Sequence, residues 1–341
     1  MAIVKGKVGY VAPFIVAAVL LAIKPLLSDY YTHIFILIFI WAFLASGWNV
    51  IGGYCGQHSL GHGLYMGIGA YFTAYFLNRF NLTPWIGGII AIALACLAGW
   101  FIGWLLFRYD IKGAYFALVT IALTEMAVYI ISNIQAMGGA GGIQENLKAG
   151  FVWMQFEGKF PYYVGGIILL VLGILYTQFF SHQRFFYYLQ AVRENDAAAE
   201  ALGVDTVKEK IKANIVSGAL CALGGVFYVQ YFLYVGPRSV FGEIVSVQIL
   251  LFAIIGGLGT VWGPTVGAAV LVTVGELSRS YLGTVFQGAD LLIYGAIMVL
   301  VMLFMPYGIL GLAMRVWRRY QRGRTAPTAP AAPAAVEGGD V

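Results

Sequence analysis

The chain is built from apolar runs of about 20 residues, separated by short polar or glycine-rich breaks, and this feature limits its fold more than any other. A helix rises about 1.5 Å per residue, so each run is long enough to cross a ~30 Å hydrocarbon layer. Lipid offers the backbone no hydrogen-bond partner, so spanning runs must satisfy their own amides as helices. The expected fold is therefore all-α, a polytopic transmembrane helical bundle of about ten spans. They are placed at 8–27, 33–50, 60–77, 84–107, 114–134, 161–180, 212–232, 244–260, 263–278 and 291–311. The glycine-rich regions 51–63 and 256–263 are expected as broken or re-entrant helix, which membranes tolerate only where protein or a cavity covers the freed backbone.

Composition supports this reading. Only 10% of the 341 residues are charged and 61% are apolar, where a soluble domain carries roughly 25% charge. So few charges cannot coat a soluble protein of this size, and the exterior must face lipid. The net charge of +5 comes from dispersed basic residues, not a basic stripe, which excludes a nucleic-acid partner. Cys55, Cys96 and Cys221 sit among apolar neighbours without metal or CxxC spacing and read as packing residues. The first run begins with Lys5 and Lys7 like a signal peptide. It is longer than a signal h-region and has no small-residue cleavage site after it, so it is expected as a retained helix.

Alternating ten spans from a cytoplasmic N-terminus puts fourteen of the 20 Lys and Arg inside, among them Lys5, Lys7, Arg108, Lys112, Arg184, Arg193 and the Arg315–Arg324 cluster. Lys24, Arg79, Lys148, Lys159, Arg238 and Arg279 fall outside. The excess inside follows the positive-inside rule and predicts cytoplasmic termini. Glycines spaced four apart, as at Gly63 and Gly67, Gly99 and Gly103, or Gly259, Gly263 and Gly267, suit close helix approach. The permease domain is taken as 1–320. The Ala/Pro-rich tail 321–341 cannot bury enough apolar surface to order itself.

Two segments have water-side chemistry. Residues 135–160 form an outside connection that opens with Gly138, Gly139, Gly141 and Gly142. The cytoplasmic loop 181–211 carries nine charges between Arg184 and Lys210. Within it, residues 188–203 combine strong helix formers, close-spaced alanines and a terminal glycine stop, predicting a short amphipathic helix that could enter a partner's groove or merely connect two spans.

Polar residues inside the spans give further candidates. Glu125 lies mid-span, where an ionised carboxylate costs ~2.5–3.5 kcal/mol on an insertion scale. It either lines a path with Thr120 and Thr124 or is a hydrogen-bonded structural group. Gln57, His58, Ser59 and His62 crowd a glycine-rich junction. His58 and His62 are one helical turn apart but lack a third metal ligand nearby. Ser59 lacks the upstream glycine of a GxSxG elbow, since Gln57 stands there. No GxxxxGK[ST] loop is present, so any ATP would be bound by another chain.

Arg193-Glu-Asn-Asp-Ala-Ala-Ala-Glu-Ala-Leu-Gly203 resembles the EAA-type coupling loop of ABC importer permeases. Gly53-Tyr-Cys-Gly-Gln-His-Ser-Leu-Gly-His-Gly63 with Gly67-Ile-Gly-Ala-Tyr71 resembles the signature of LivM-type permeases of branched-chain amino-acid importers. Tyr115–Glu125, the Gly138-Gly139 loop and Gly256-Gly-Leu-Gly-Thr-Val-Trp-Gly-Pro264 match in the same order, from about residue 33 to 312. His58 stands where the family more usually has an apolar residue.

The resemblance implies an alternating-access permease in a bacterial-type inner membrane. Its implied partners are a second related permease, two cytoplasmic ATPase subunits that bind ATP, and an extracytoplasmic solute-binding protein, with no cofactor in this chain. It implies that Arg193, Glu194, Asp196, Glu200 and Gly203 couple to the ATPase, and that Gln57, Ser59 and His62 are signature positions. These join Thr120, Thr124 and Glu125 as candidate pathway residues. Urea, amides or small carboxylates are alternative cargoes. An intramembrane enzyme using Ser59, His62 or Glu125 and an ion-driven secondary transporter are the alternative classes.

Overall fold

The computed structural model describes residues 7–282, 295–296, 299 and 308–312. The expected tail, Arg315–Arg324 and most of the tenth span at 291–311 lie outside the described residues. The chain is an all-α bundle with α1 (Lys7–Ile23), α2 (Asp29–Asn49), α3 (His62–Phe80), α4 (Pro84–Arg108), α5 (Gly113–Asn133) and α6 (Phe160–Phe180). There follow α7 (Arg184–Glu194), α8 (Asp196–Ala201), α9 (Thr206–Phe232), α10 (Pro237–Val240), α11 (Glu243–Gly256) and α12 (Gly263–Leu282).

Helices stand at the first nine expected span positions, but only six stretches among the described residues are long and apolar enough by themselves to cross a membrane. They are Asp29–Tyr54, Pro84–Arg108, Gly113–Asn133, Phe160–Phe180, Thr206–Phe232 and Pro237–Gly256. The others are short, as in α1, or carry polar residues, as do α3 with Asn78 and Arg79 and α12 with Glu276 and Arg279.

α2 is apolar all round and is buried along nearly its whole length, as such a helix must be to form a core. α6, α9, α11 and α12 surround it, while α9 also packs on α3 and α4. α5 is the least enclosed of the long helices. The α3/α9 crossing depends on missing side chains. A Cβ at Gly69 would stand 2.0 Å from the Ala222 carbonyl oxygen, and one at Gly225 would stand 2.1 Å from that of Met66. The two backbones are in direct contact, the arrangement small residues permit between membrane helices.

Both expected breaks are present. α2 passes through a wide π turn, Val50–Tyr54, into a non-helical stretch before α3. α11 ends at Gly257, whose φ of 130° belongs to glycine, and α12 begins after a six-residue break. α11 has only 14 residues, about 21 Å of helix. α10 leads into it, and only Pro237–Gly256 taken together is long enough to span.

The 135–160 connection is more ordered than its glycines suggest. β1 (Ile143–Gln144) pairs antiparallel with β2 (Tyr234–Val235), Ile143 opposite Val235. This pairing fastens the loop against α3 and α9.

Replacing Gly225 with Ala is expected to force α3 and α9 apart and lower stability by about 1–3 kcal/mol, the usual cost of overpacking. Gly87→Ala, whose Cβ would meet Phe76 at an ordinary 3.4 Å, should be neutral. Thermal unfolding in detergent compares the two.

Candidate functional site

The signature loop is held by side chains that meet backbone groups freed by the break. Trp48 Nε1 donates to the Ser59 carbonyl at 2.7 Å, with its indole laid over Gly52. Leu60 N donates to Thr120 Oγ1 at 3.0 Å, and Gly63 N donates to Ser246 Oγ at 2.8 Å. These bonds join the loop to α2, α5 and α11.

His62 is completely buried. Its Nε2 is 2.7 Å from Ser217 Oγ, and Ser217 donates its hydroxyl to the Gly47 carbonyl at 2.7 Å. Ser217 must then accept from His62, which assigns the proton to Nε2 and leaves Nδ1 to accept from Ser59 Oγ, 3.2 Å away. Ser59 Oγ in turn accepts from Gly61 N at 3.2 Å. Every polar atom in this chain has a partner, and the chain stitches α3 to α9 and α2. Gln57 is half-buried in the same loop, its N–H on the Ile51 carbonyl, and exposed His58 packs near Trp48.

Thr120 and Thr124 are buried, and each donates its hydroxyl back along α5, to the carbonyls of Ala117 and Thr120 respectively. Glu125 is half-buried and accepts the Glu243 N–H at 3.2 Å. It thus satisfies one of the amides left open at the start of α11 and sits at the positive end of that helix's dipole. The structural account of Glu125 and the pathway account are compatible, because the face of α5 next to it, with Tyr115, Leu118 and Met126, is exposed. An apolar groove of about 290 Å³ runs beside it between α3, α4 and α5, lined by Leu64, Ile68, Phe101, Met126, Ile130 and Phe241.

The charged loop 181–211 forms two helices where the sequence suggested one. The helix stops at Asn195, whose extended backbone (φ −160°, ψ 110°) starts α8 with its Oδ1 accepting from Ala198 N at 3.0 Å. A side chain that caps a new helix competes with continuing the old one. Gly203 adopts φ 87° and closes α8, its N–H on the Glu200 carbonyl, as a glycine stop requires.

The five coupling candidates divide in their contacts. Glu194 and Glu200 lie on open surface beside Leu202, which is 86% exposed and which charge-based reasoning passed over. Asp196 turns inward, taking Lys210 Nζ at 2.5 Å and Lys112 Nζ at 3.1 Å, and so ties α8 to α9 and to the α4–α5 turn. Burial pushes its carboxyl pKa up, but hydrogen bonds from the two lysines outweigh this and hold it below the ordinary range. Arg193 Nη1 reaches the Gly53 carbonyl at 2.5 Å.

One residue of the 135–160 loop escaped the sequence reading. Glu145 is buried, with Gln230 Nε2 on Oε1 at 2.8 Å and Gln155 Nε2 on Oε2 at 3.1 Å. Burial pushes its pKa from 4.5 up to about 7 against the lowering effect of both amides. Its folded pKa exceeds the unfolded one, so its stabilisation of the docked loop is complete below about pH 4.5 and lost as pH rises through about 7. The loss amounts to about 3 kcal/mol. Amide exchange at residues 143–146 is expected to quicken as pH rises across this range after correction for intrinsic rates, and Glu145→Gln should remove the excess.

Comparison with known proteins places these features in a family. The family described as "Branched-chain amino acid transport system / permease component" matches residues 30–302. The chain is 28% identical to the high-affinity branched-chain amino acid transport system permease protein LivM of Escherichia coli, covering 87% of this chain and 74% of that protein. It is 24% identical to LivH of Salmonella typhimurium over 80% of this chain and 91% of that protein. A probable LivM of Methanocaldococcus jannaschii is 27% identical over 72% of this chain and 78% of that protein. No solved structure matches. These relatives are transport proteins and not enzymes, which removes the intramembrane-enzyme alternative, and the chain belongs to the permease components of branched-chain amino-acid transport systems, as a membrane subunit of an ABC importer.

Proposed function

We propose that this permease carries branched-chain amino acids inward by alternating access, paired with a second, related permease. Two ATPase subunits bind ATP on the cytoplasmic side, and a solute-binding protein delivers cargo from outside. The reading places the protein in a bacterial-type inner membrane with about ten spans and both termini cytoplasmic, in line with the positive-inside rule. The cargo follows the names of the relatives, and the pairing follows the match to both LivM and LivH. Exposed Glu194, Glu200 and Leu202 form the face offered to the ATPase, with Gly203 turning the chain back to the membrane.

The observation that carries the pathway is Glu125 at the start of α11. A carboxylate at this depth is costly against lipid and faces a bundle interior or a water-filled cavity. The open side of α5 therefore lies against the second permease, and the path runs between them past Glu125. Thr120 and Thr124 shape α5 there, while the Gln57–His62 loop forms its cytoplasmic-side support.

Glu125→Gln is expected to cut leucine uptake about tenfold, a change of about 1.4 kcal/mol in the limiting barrier, without loss of the assembled complex. Uptake by the reconstituted transporter with its binding protein tests this, and unchanged uptake would remove Glu125 from the path. Competition by excess leucine but not by urea would fix the cargo class, and the reverse pattern would reassign it. Replacing Glu200 or Leu202 with Ala should abolish stimulation of ATP hydrolysis by the loaded binding protein.

A further inference from the structure

A coupling loop does mechanical work only if it holds something that moves. Arg193, at the end of α7, reaches from the loop to the helix breaks, as Asp196 reaches from α8 to α9. Its Nη1 donates to the Gly53 carbonyl at 2.5 Å, in the π turn that follows α2. The same nitrogen would stand 2.9 Å from a Cβ on Gly259, in the break between α11 and α12. Arg193 thus touches both breaks at once.

Asn49 joins those breaks from within. It is fully buried in the last turn of α2, and its amide is used on both sides. Nδ2 donates to the Thr260 carbonyl at 3.0 Å, and Oδ1 accepts from Gly259 N at 2.9 Å. Neither backbone group has a helical partner, so this one side chain supplies what the broken helix lost. The fit has no slack. A Cβ on Gly53 would stand 1.8 Å from Asn49 Oδ1 and 2.7 Å from Gly259 N.

From this junction the chain runs two ways. The π turn continues into the Gln57–His62 loop, and the 257–262 break continues backwards into α11, whose far end is the Glu243 N–H held by Glu125. Displacement of α7 therefore reaches the signature loop and the mid-membrane carboxylate through backbone and two side chains, with α11 as the rod. A cleft of about 320 Å³ lined by Tyr54, Gln190, Arg193, Glu194 and Gly259 leaves α7 room to move against the junction.

We propose that Arg193 and Asn49 are positioning residues that transmit motion from the cytoplasmic loop to both helix breaks, Arg193 from the loop side and Asn49 from inside the bundle. This assigns Arg193 an inward role distinct from ATPase contact and gives Asn49 a role that its apolar surroundings do not suggest. The proposal rests on the reading that α7 and α8 dock the ATPase.

The test measures leucine uptake and ATP hydrolysis together in the reconstituted full transporter with loaded binding protein. Asn49→Ala and Arg193→Ala should each lower uptake per ATP hydrolysed roughly five- to tenfold, in the range of coupling between sites, while stimulated hydrolysis persists. Arg193→Lys, which keeps the charge and reach, should restore part of the ratio. The double variant should be no worse than the worse single one, as for two residues in one linkage. Asn133→Ala, which loses only a bond to its own helix at Tyr129, should leave the ratio unchanged.

A wild-type uptake-to-hydrolysis ratio in Arg193→Ala overturns the proposal, and because that side chain is on the surface the result does not depend on whether Asn49→Ala assembles. A lowered ratio that Arg193→Lys restores no better than Ala also overturns it. Loss of stimulated hydrolysis in Glu200→Ala with a wild-type ratio in Arg193→Ala leaves the docking surface standing and removes only the transmission. Normal stimulation in both the Glu200 and Leu202 variants instead refutes the docking surface and the proposal with it.

Discussion

Every backbone group that leaves a helix within the bilayer has to be met by protein, and the interior of this permease is organised around that requirement. Trp48 meets Ser59, Thr120 meets Leu60, Ser246 meets Gly63, Asn49 meets Gly259 and Thr260, and Glu125 meets Glu243. All but the Trp48–Ser59 pair join elements distant in sequence, so the bonds that repair the breaks are also those that set the helices in place. Polar residues that look like catalytic candidates in a linear reading are, in space, the partners of interrupted backbone. Ser59 and His62 are the clearest case, because their network leaves neither a free base nor an exposed hydroxyl.

What the sequence shows well is whatever depends on neighbours along the chain. Apolar runs locate helices to within a few residues, Gly203 stops α8 by local geometry, and glycine clusters mark both breaks. Features that depend on remote partners were hidden. Asn49 is one polar residue at the end of an apolar run, and nothing nearby indicates that its partners lie past residue 258. Glu145 sits in a loop that reads as solvated, yet Gln230 on α9 and the β1–β2 pairing bury it. Asn195 was visible but ambiguous, since asparagine suits a helix start as well as a loop, and only its bond to Ala198 decides.

The charge cluster of the 181–211 loop also resolves into unlike parts. Asp196, Lys210 and Lys112 form an inward group that fixes α8 to the membrane helices. Glu194, Glu200 and Leu202 remain outside. A stretch that looks uniformly suited to binding a partner is part anchor and part contact face, and its most exposed large apolar residue is Leu202.

The contact of α3 with α9 through Gly69 and Gly225 limits how the molecule can change shape. Backbones in direct touch have no side chains between them to re-pack, so the two helices travel as one keel. α11 and α12 touch in the same way, a Cβ at Gly267 standing 1.9 Å from the Phe252 carbonyl oxygen, so the bundle holds two such keels, and the lightly enclosed α5 is the long helix least bound up in the packing. Rigid pairs of helices, not single helices, are then the smallest units that can shift against one another.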